Sequence, residues 1–79
     1  MEFSVGQIVK AKAGRDKDGF FIILSLDGQY AYIADGKRRP VDKPKKKKLI
    51  HLVPTQTKAQ TFRSNREIKH ALRDYLSEN

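Results

Sequence analysis

Residues 9–26, VKAKAGRDKDGFFIILSL, decide the fold of this chain. At their start Val9 and Ala11 alternate with lysines, the pattern of a half-exposed strand. The loop over residues 14–19 is short, charged and bounded by glycines. Residues 20–24 are five apolar residues in a row, which is typical of a buried strand. The stretch therefore predicts a strand, a tight polar loop and a second strand, and the rest of the chain can complete a sheet around them.

The same hairpin resembles a KOW motif, the strand–loop–strand signature of RNA-binding domains in ribosomal proteins and transcription elongation factors. The matching residues are the alternating Val9 and Ala11, the first glycine Gly14, the basic Lys17, and Ile22 and Leu24 of the second strand. Asp18 stands where the motif has its second glycine, and Gly19 follows one residue late. Residues 5–52 together resemble small bacterial relatives of the eukaryotic-type KOW-class large-subunit ribosomal proteins. The resemblance implies an SH3-like barrel whose loop contacts RNA.

Tight turns separate the remaining short strands. We predict strands over residues 7–13, 20–26, 30–34, 37–41 and 49–53. Gly28 and Gly36 each follow an aspartate, which is the strongest short-range hairpin signal. Pro40 limits the fourth strand to a sheet edge, and Pro54 ends the fifth. Five short strands in so small a chain favour a mainly β fold, a small barrel over residues 1–54, and the KOW resemblance specifies the SH3-like type.

A helix is predicted after a polar linker over residues 55–63. Ser64 and Glu67 have the spacing of a capping box, so the C-terminal segment, residues 64–79, should be helical over residues 65–77. Its apolar side chains fall on one helical face: Ile68, Ala71, Leu72, Tyr75 and Leu76. That amphipathic stripe has to be buried, either on the barrel or on a partner.

Positive charge is concentrated in one segment. The 79-residue chain has 17 Lys and Arg against 9 acidic residues, a net charge of +8. Residues 37–48 hold eight of these cations and a single aspartate, Asp42, so nearly all of the net charge lies there. Such clustering is typical of a protein that binds a polyanion. The cations that we expect to contact RNA in this segment are Lys37, Arg38, Arg39, Lys43, Lys45, Lys46, Lys47 and Lys48.

Two further groups are candidates for RNA contact. Lys12, Arg15 and Lys17 in or beside the loop can reach backbone phosphates, although the loop can equally be a plain polar turn in which Asp16 pairs locally. Tyr30 and Tyr32 share one face of an alternating strand and can stack on unpaired bases. They can equally form the core face, with Ala31 and Ile33 outside, although the smaller pair looks slightly better suited to the core.

The sequence contains parts of motifs that are typical of enzymes, but none of these motifs is complete. The loop has the glycine spacing of a phosphate-binding loop, but Phe20 and Phe21 stand where Lys and Ser or Thr are required. There is no cysteine, and the two histidines, His51 and His70, have no convincing set of fellow ligands. We therefore expect no catalysis, no metal and no cofactor. No apolar run is long enough to cross a membrane and no secretory signal is visible, so a cytoplasmic location is expected.

The sequence thus favours a non-enzymatic RNA-binding protein associated with ribosomal RNA or translation. Contact would be mainly with the phosphate backbone, and the lysine run, residues 45–48, is expected to be mobile when free because like charges repel. The alternative is a protein-interaction module that uses the barrel and the helix stripe. Where that stripe is buried discriminates between them.

Overall fold

The computed structural model describes residues 2–78, which form a small, mainly β domain with one C-terminal helix. The strands are β1 (Gln7–Ala11), β2 (Phe20–Asp27), β3 (Tyr30–Ala34), β4 (Lys45–Lys48) and β5 (Leu52–Lys58), and the helix is α1 (Asn65–Ser77). All the pairings are antiparallel, and the strand order across the sheet is β4-β3-β2-β1-β5. The predicted fold class is confirmed at this level, but the barrel is not closed: within residues 2–78, β4 and β5 are the two edges of the sheet and do not pair with each other.

The sheet is nonetheless strongly curled. A single 3₁₀ turn, Leu49–His51, connects β4 at one edge to β5 at the other. In a flat sheet of five strands these edges would be about 19 Å apart. The four residue steps from Lys48 to Leu52 span about 14 Å at most, so the two edges have to bend towards each other. The turn is tied to both sides, because the Leu49 amide donates to Gln29 O at 2.8 Å and the Lys12 amide to His51 O at 2.9 Å.

Both faces of the central strands are buried, which explains the unbroken apolar run at the start of β2. The concave face holds one cluster: Val9, Ala11, Phe21, Ile23, Ala31, Ile33 and Leu52. The other face is covered by α1, and its cluster contains Ile8, Ile22, Ala34, Ile68 and Leu72. We call these the inner face and the helix face. Each of β1, β2 and β3 supplies residues of opposite parity to the two clusters, as the twofold side-chain period of a strand requires.

The helix agrees with its predicted bounds, residues 65–77. Ser64 Oγ accepts a hydrogen bond from the Glu67 amide at 3.1 Å, which is half of the expected capping box. The other half differs, because Glu67 Oε1 accepts from the Arg63 amide at 2.8 Å. None of the helices in residues 2–78 is long and apolar enough to span a membrane.

The fourth strand was predicted in the wrong place. Residues 37–39 lie in a turn, because Asp35 Oδ1 accepts from the amides of both Lys37 and Arg39, each at 2.9 Å. This aspartate offers the backbone a local alternative to strand pairing. The fourth strand is instead the lysine run itself, which was expected to be unpaired and here pairs with β3 along its whole length.

The fifth strand also differs from its prediction. Leu49–His51 is a 3₁₀ turn, and β5 begins at Leu52 and continues to Lys58, through the first four residues of the expected linker. Pro54 does not end the strand. β5 is an edge strand, and on its open side there is no neighbouring strand to which the missing amide proton would have been donated. The shorter connection that remains is packed: the Ala59 amide donates to Gly6 O at 2.8 Å, and Phe62 joins the helix-face cluster.

Candidate nucleic-acid interface

The register of β4 against β3 splits the lysine run into two pairs. Lys47 lies opposite Ala31 and Lys45 opposite Ile33, so both belong to the inner face. Lys48 lies opposite Tyr30 and Lys46 opposite Tyr32, on the other face of the sheet. Four identical side chains in sequence therefore have two different environments.

Lys46, Lys48, Tyr30 and Tyr32 form a mixed surface, which we call the Tyr–Lys face. Ala31 and Ile33 are fully buried in the inner cluster, which confirms the smaller pair as the core and leaves both tyrosines partly exposed. Lys46 Nζ lies 4.6 Å from the centroid of the Tyr30 ring, a cation–π contact. Ammonium groups interleaved with partly exposed aromatic rings can bind phosphates and stack on bases at the same time.

Lys47 has a different role, together with Arg39 and Asp16. The Asp16 carboxylate is buried, with 2% of its side chain exposed. Arg39 binds it through two parallel hydrogen bonds, Nε to Oδ1 and Nη2 to Oδ2, both at 3.1 Å. Lys47 Nζ lies 3.9 Å from Oδ2 and donates to Ala13 O at 2.8 Å. We call these three residues the Asp16 cluster.

The Asp16 cluster joins the β1–β2 loop to two segments that are distant from it in sequence, the turn over residues 35–39 and β4. Two side chains expected to contact RNA, Arg39 and Lys47, are thus already engaged by a carboxylate, and Lys47 is buried. Asp16 does not pair locally, the alternative that the sequence left open. Sequence reasoning missed this cluster, because Arg39 and Lys47 lie 23 and 31 residues from Asp16 and nothing local signals the pairing.

The loop keeps the shape of a tight hairpin despite its missing glycine. Asp18 has a φ of 71°, a left-handed conformation that glycine adopts freely and aspartate tolerates better than most residues. Its amide donates to Ala11 O at 2.7 Å, which closes the loop. Lys12, Arg15 and Lys17 are exposed around it, and no ion pair within residues 2–78 involves them.

The remaining predicted cations are exposed but lie apart from the Tyr–Lys face. Lys37 and Arg38 are in the turn over residues 35–39, and Lys43 lies in the connection to β4. The structure therefore brings together Lys46, Lys48, Tyr30 and Tyr32, places Lys12, Arg15 and Lys17 at the loop, and distributes Lys37, Arg38, Lys43 and Lys45 elsewhere on the surface.

The helix stripe is covered by the chain's own sheet. Ile68 is fully buried and Leu72 nearly so, both in the cluster with Ile8 and Ile22. Leu76, 51% exposed, lies at the end of the stripe. A partner would have to displace α1 to reach the first two, so the protein-interaction alternative loses its best surface, the helix stripe, and keeps only the sheet.

One histidine side chain in residues 2–78, that of His70, lies within ion-pair distance of a carboxylate. His70 Nδ1 lies 3.3 Å from Asp74 Oδ2 on α1, and both side chains are 59% exposed. Across the described part of the chain, no three His, Cys, Asp or Glu side chains are grouped so that they could hold a metal ion.

Comparison of the sequence with models of known protein families and with curated proteins gave no match. The KOW resemblance is therefore supported only by the residues that suggested it, and the functional argument depends on the surfaces described above.

Proposed function

We propose that this protein is a non-enzymatic RNA-binding protein that holds the phosphate backbone with exposed lysines and stacks unpaired bases on Tyr30 and Tyr32. The observation that carries the proposal is the Tyr–Lys face, where two rings on β3 lie directly across from two lysines on the edge strand β4. Stacking tolerates any base, and ammonium groups bind phosphate as point charges, so this surface suits RNA contact with little sequence preference.

The arrangement of β4 supports this proposal beyond charge alone. Because the strand is paired to β3, its two outward lysines are held at fixed spacing rather than on a mobile segment. Less conformational entropy is then lost when they bind phosphates. Lys12, Arg15 and Lys17 around the hairpin loop extend the positive surface, as expected of a KOW-type loop.

The finer fold assignment and the ribosomal setting belong to the same proposal. Five antiparallel strands curled around one apolar cluster support an SH3-like domain of the KOW type. The resemblance to KOW-class ribosomal proteins supports ribosomal RNA as the target. Co-sedimentation with ribosomes at low salt, lost at high salt, is the expected result for such a protein.

Binding to a single-stranded RNA, measured from about 50 to 300 mM salt, tests the phosphate contacts. Lys46→Gln/Lys48→Gln should weaken binding and reduce the slope of log affinity on log salt by about 1.5, the value for two lost phosphate contacts. Lys58→Gln/Arg63→Gln removes the same charge from exposed positions outside the Tyr–Lys face and should change the slope much less. Equal effects of the two double variants would contradict a defined interface.

Tyrosine fluorescence tests the stacking contacts. The chain has three tyrosines and no tryptophan, and Tyr75 packs against Phe20 with ring centroids 5.6 Å apart. RNA should quench the emission of Tyr30 and Tyr32 and leave that of Tyr75. Tyr30→Leu or Tyr32→Leu should each weaken binding by about tenfold, since one stacked base contributes about 1–3 kcal/mol. Unchanged emission at saturating RNA would rule stacking out.

A further inference from the structure

We propose a second RNA-binding site in a cleft of about 970 Å³ between α1 and the turn over residues 35–39. This inference rests on the proposed function and adds to it a second segment of RNA backbone. Arg66, Lys69 and Arg73 follow one another at i, i+3 and i+7, so they share one face of α1. With Lys37 on the turn, they line the cleft, whose walls also include Leu76.

The turn over residues 35–39 packs closely against α1 at Gly36. A Cβ at this residue would lie 2.6 Å from Asn65 O and 2.8 Å from Lys69 Cγ, and its φ of 81° also favours glycine. The Val41 amide donates to Asn65 Oδ1 at 2.7 Å, which fixes the following residues to the same end of α1. Lys37 is therefore kept beside the helix, and the cleft is built before any ligand arrives.

The charge of the cleft is positive and not neutralised by the protein. None of the four cations Lys37, Arg66, Lys69 and Arg73 takes part in an ion pair within residues 2–78. Asp35 is the one carboxylate lining the cleft in that part of the chain, and two backbone amides already occupy its Oδ1. Clustered cations in a concave site attract polyanions, and arginines in particular fork onto phosphate oxygens.

The position of the cleft favours RNA over an acidic protein as its occupant. Ala34, at the end of β3, packs under α1 on the helix face, and Tyr32 and Tyr30 continue along the same face of that strand. Asp35, the residue after Ala34, lines the cleft, and Ala34 and Tyr30 are about 13 Å apart along the strand. One folded RNA can thus place unpaired bases on the Tyr–Lys face and a second backbone segment in the cleft. This geometry favours folded RNA over short single strands.

The test compares a hairpin RNA carrying an unpaired loop with a single-stranded oligonucleotide too short to span both surfaces. Lys69→Gln/Arg73→Gln should weaken hairpin binding by about tenfold at moderate salt and reduce its salt slope by about 1.5. The same variant should bind the short strand like the wild type. Gln retains good helix propensity, so α1 should persist, which circular dichroism can verify. Lys58→Gln/Arg63→Gln is the charge-matched control.

Three results would overturn the inference. The first is equal hairpin binding by the helix variant and its control while Lys46→Gln/Lys48→Gln still weakens it; the proposed function would then stand without the second site. The second is displacement of the hairpin by poly-glutamate as readily as by unlabelled hairpin, because the cleft would then not select RNA. The third, absence of binding to either RNA by the wild type, would overturn both proposals.

Discussion

Lys46 and Lys47 are adjacent in sequence and identical in chemistry, yet they belong to opposite surfaces. Lys46 is exposed and lies over the ring of Tyr30, whereas Lys47 is buried and paired with Asp16. The difference follows from the twofold period of a strand, which sends neighbouring side chains to opposite faces. A uniform basic run thus combines two roles, since one lysine is available to a ligand and the other holds the surface in place.

Among the variants considered, a change in the Asp16 cluster should have the largest effect on the free energy of unfolding. Asp16→Asn keeps the shape but removes the charge, which leaves the half-buried Arg39 and the buried Lys47 uncompensated. We expect the free energy of unfolding to fall by about 3 kcal/mol, a large part of the roughly 4–12 kcal/mol expected for this length. Urea denaturation measures it. The control is Asp18→Asn, which affects only an exposed contact with Lys10 at 3.9 Å and should change stability by less than about 0.5 kcal/mol.

The two adjacent lysines should respond in opposite ways. Lys47→Gln removes the donor to Ala13 O and one partner of Asp16, so it should lower the free energy of unfolding by about 1–2 kcal/mol. Lys46→Gln should leave stability nearly unchanged and weaken RNA binding. Denaturation and RNA titration of both variants give the four values needed. If Lys46→Gln were the more destabilising change, the assignment of the two faces would be wrong.

Two glycines offer a finer probe of the Lys47 environment. Gly14 and Gly28 have φ values of 78° and 60°, so alanine is strained at either by about 1 kcal/mol. A Cβ at Gly14 would lie 2.9 Å from Lys47 Nζ, whereas at Gly28 it would meet nothing within 4 Å. Gly14→Ala should therefore be the more destabilising by a few tenths of a kcal/mol. Equal losses would mean that the lysine moves aside without cost.

The smallest expected effect is on the hydrogen exchange rates of the β4 amides, which report local opening of the strand. In an antiparallel edge strand only alternate amides point to the neighbour, so about half of the amides over Lys45–Lys48 should exchange slowly. Asp16→Asn should accelerate them, because the cluster anchors the strand. Amide exchange measured by NMR distinguishes this from the mobile segment suggested by charge repulsion, in which all four would exchange fast.

Much of the fold follows from local sequence signals. Strand β3 and the helix were predicted with the bounds they have, because each carries a complete side-chain period and clear ends. Strand β4 was missed because KKKK contains no apolar residue; its pairing depends on β3 and on Asp16, which is far away in sequence. The end of β5 was missed because Pro54 is harmful inside a sheet and harmless at its edge.

The candidate site could be predicted in composition but not in arrangement. The sequence identified the lysines and tyrosines, yet which lysine faces which ring depends on the β3–β4 register. The engagement of Arg39 and Lys47 by one carboxylate depends on three segments meeting in space. The cations of α1 were overlooked because their partner surface, the turn at Gly36, reaches the helix only in the folded chain.

The placement of β4 at the sheet edge also affects how copies of this protein meet. An open edge presents unpaired backbone groups that can template strand addition by another molecule, and lysines are a common protection against it. Two copies that joined through β4 would bring three exposed ammonium groups from each, those of Lys45, Lys46 and Lys48, into one small area. Mutual repulsion should thus disfavour pairing of two copies through β4, even in concentrated protein. A bound polyanion would cancel this repulsion, so crowding on nucleic acid is the condition under which the edges could approach.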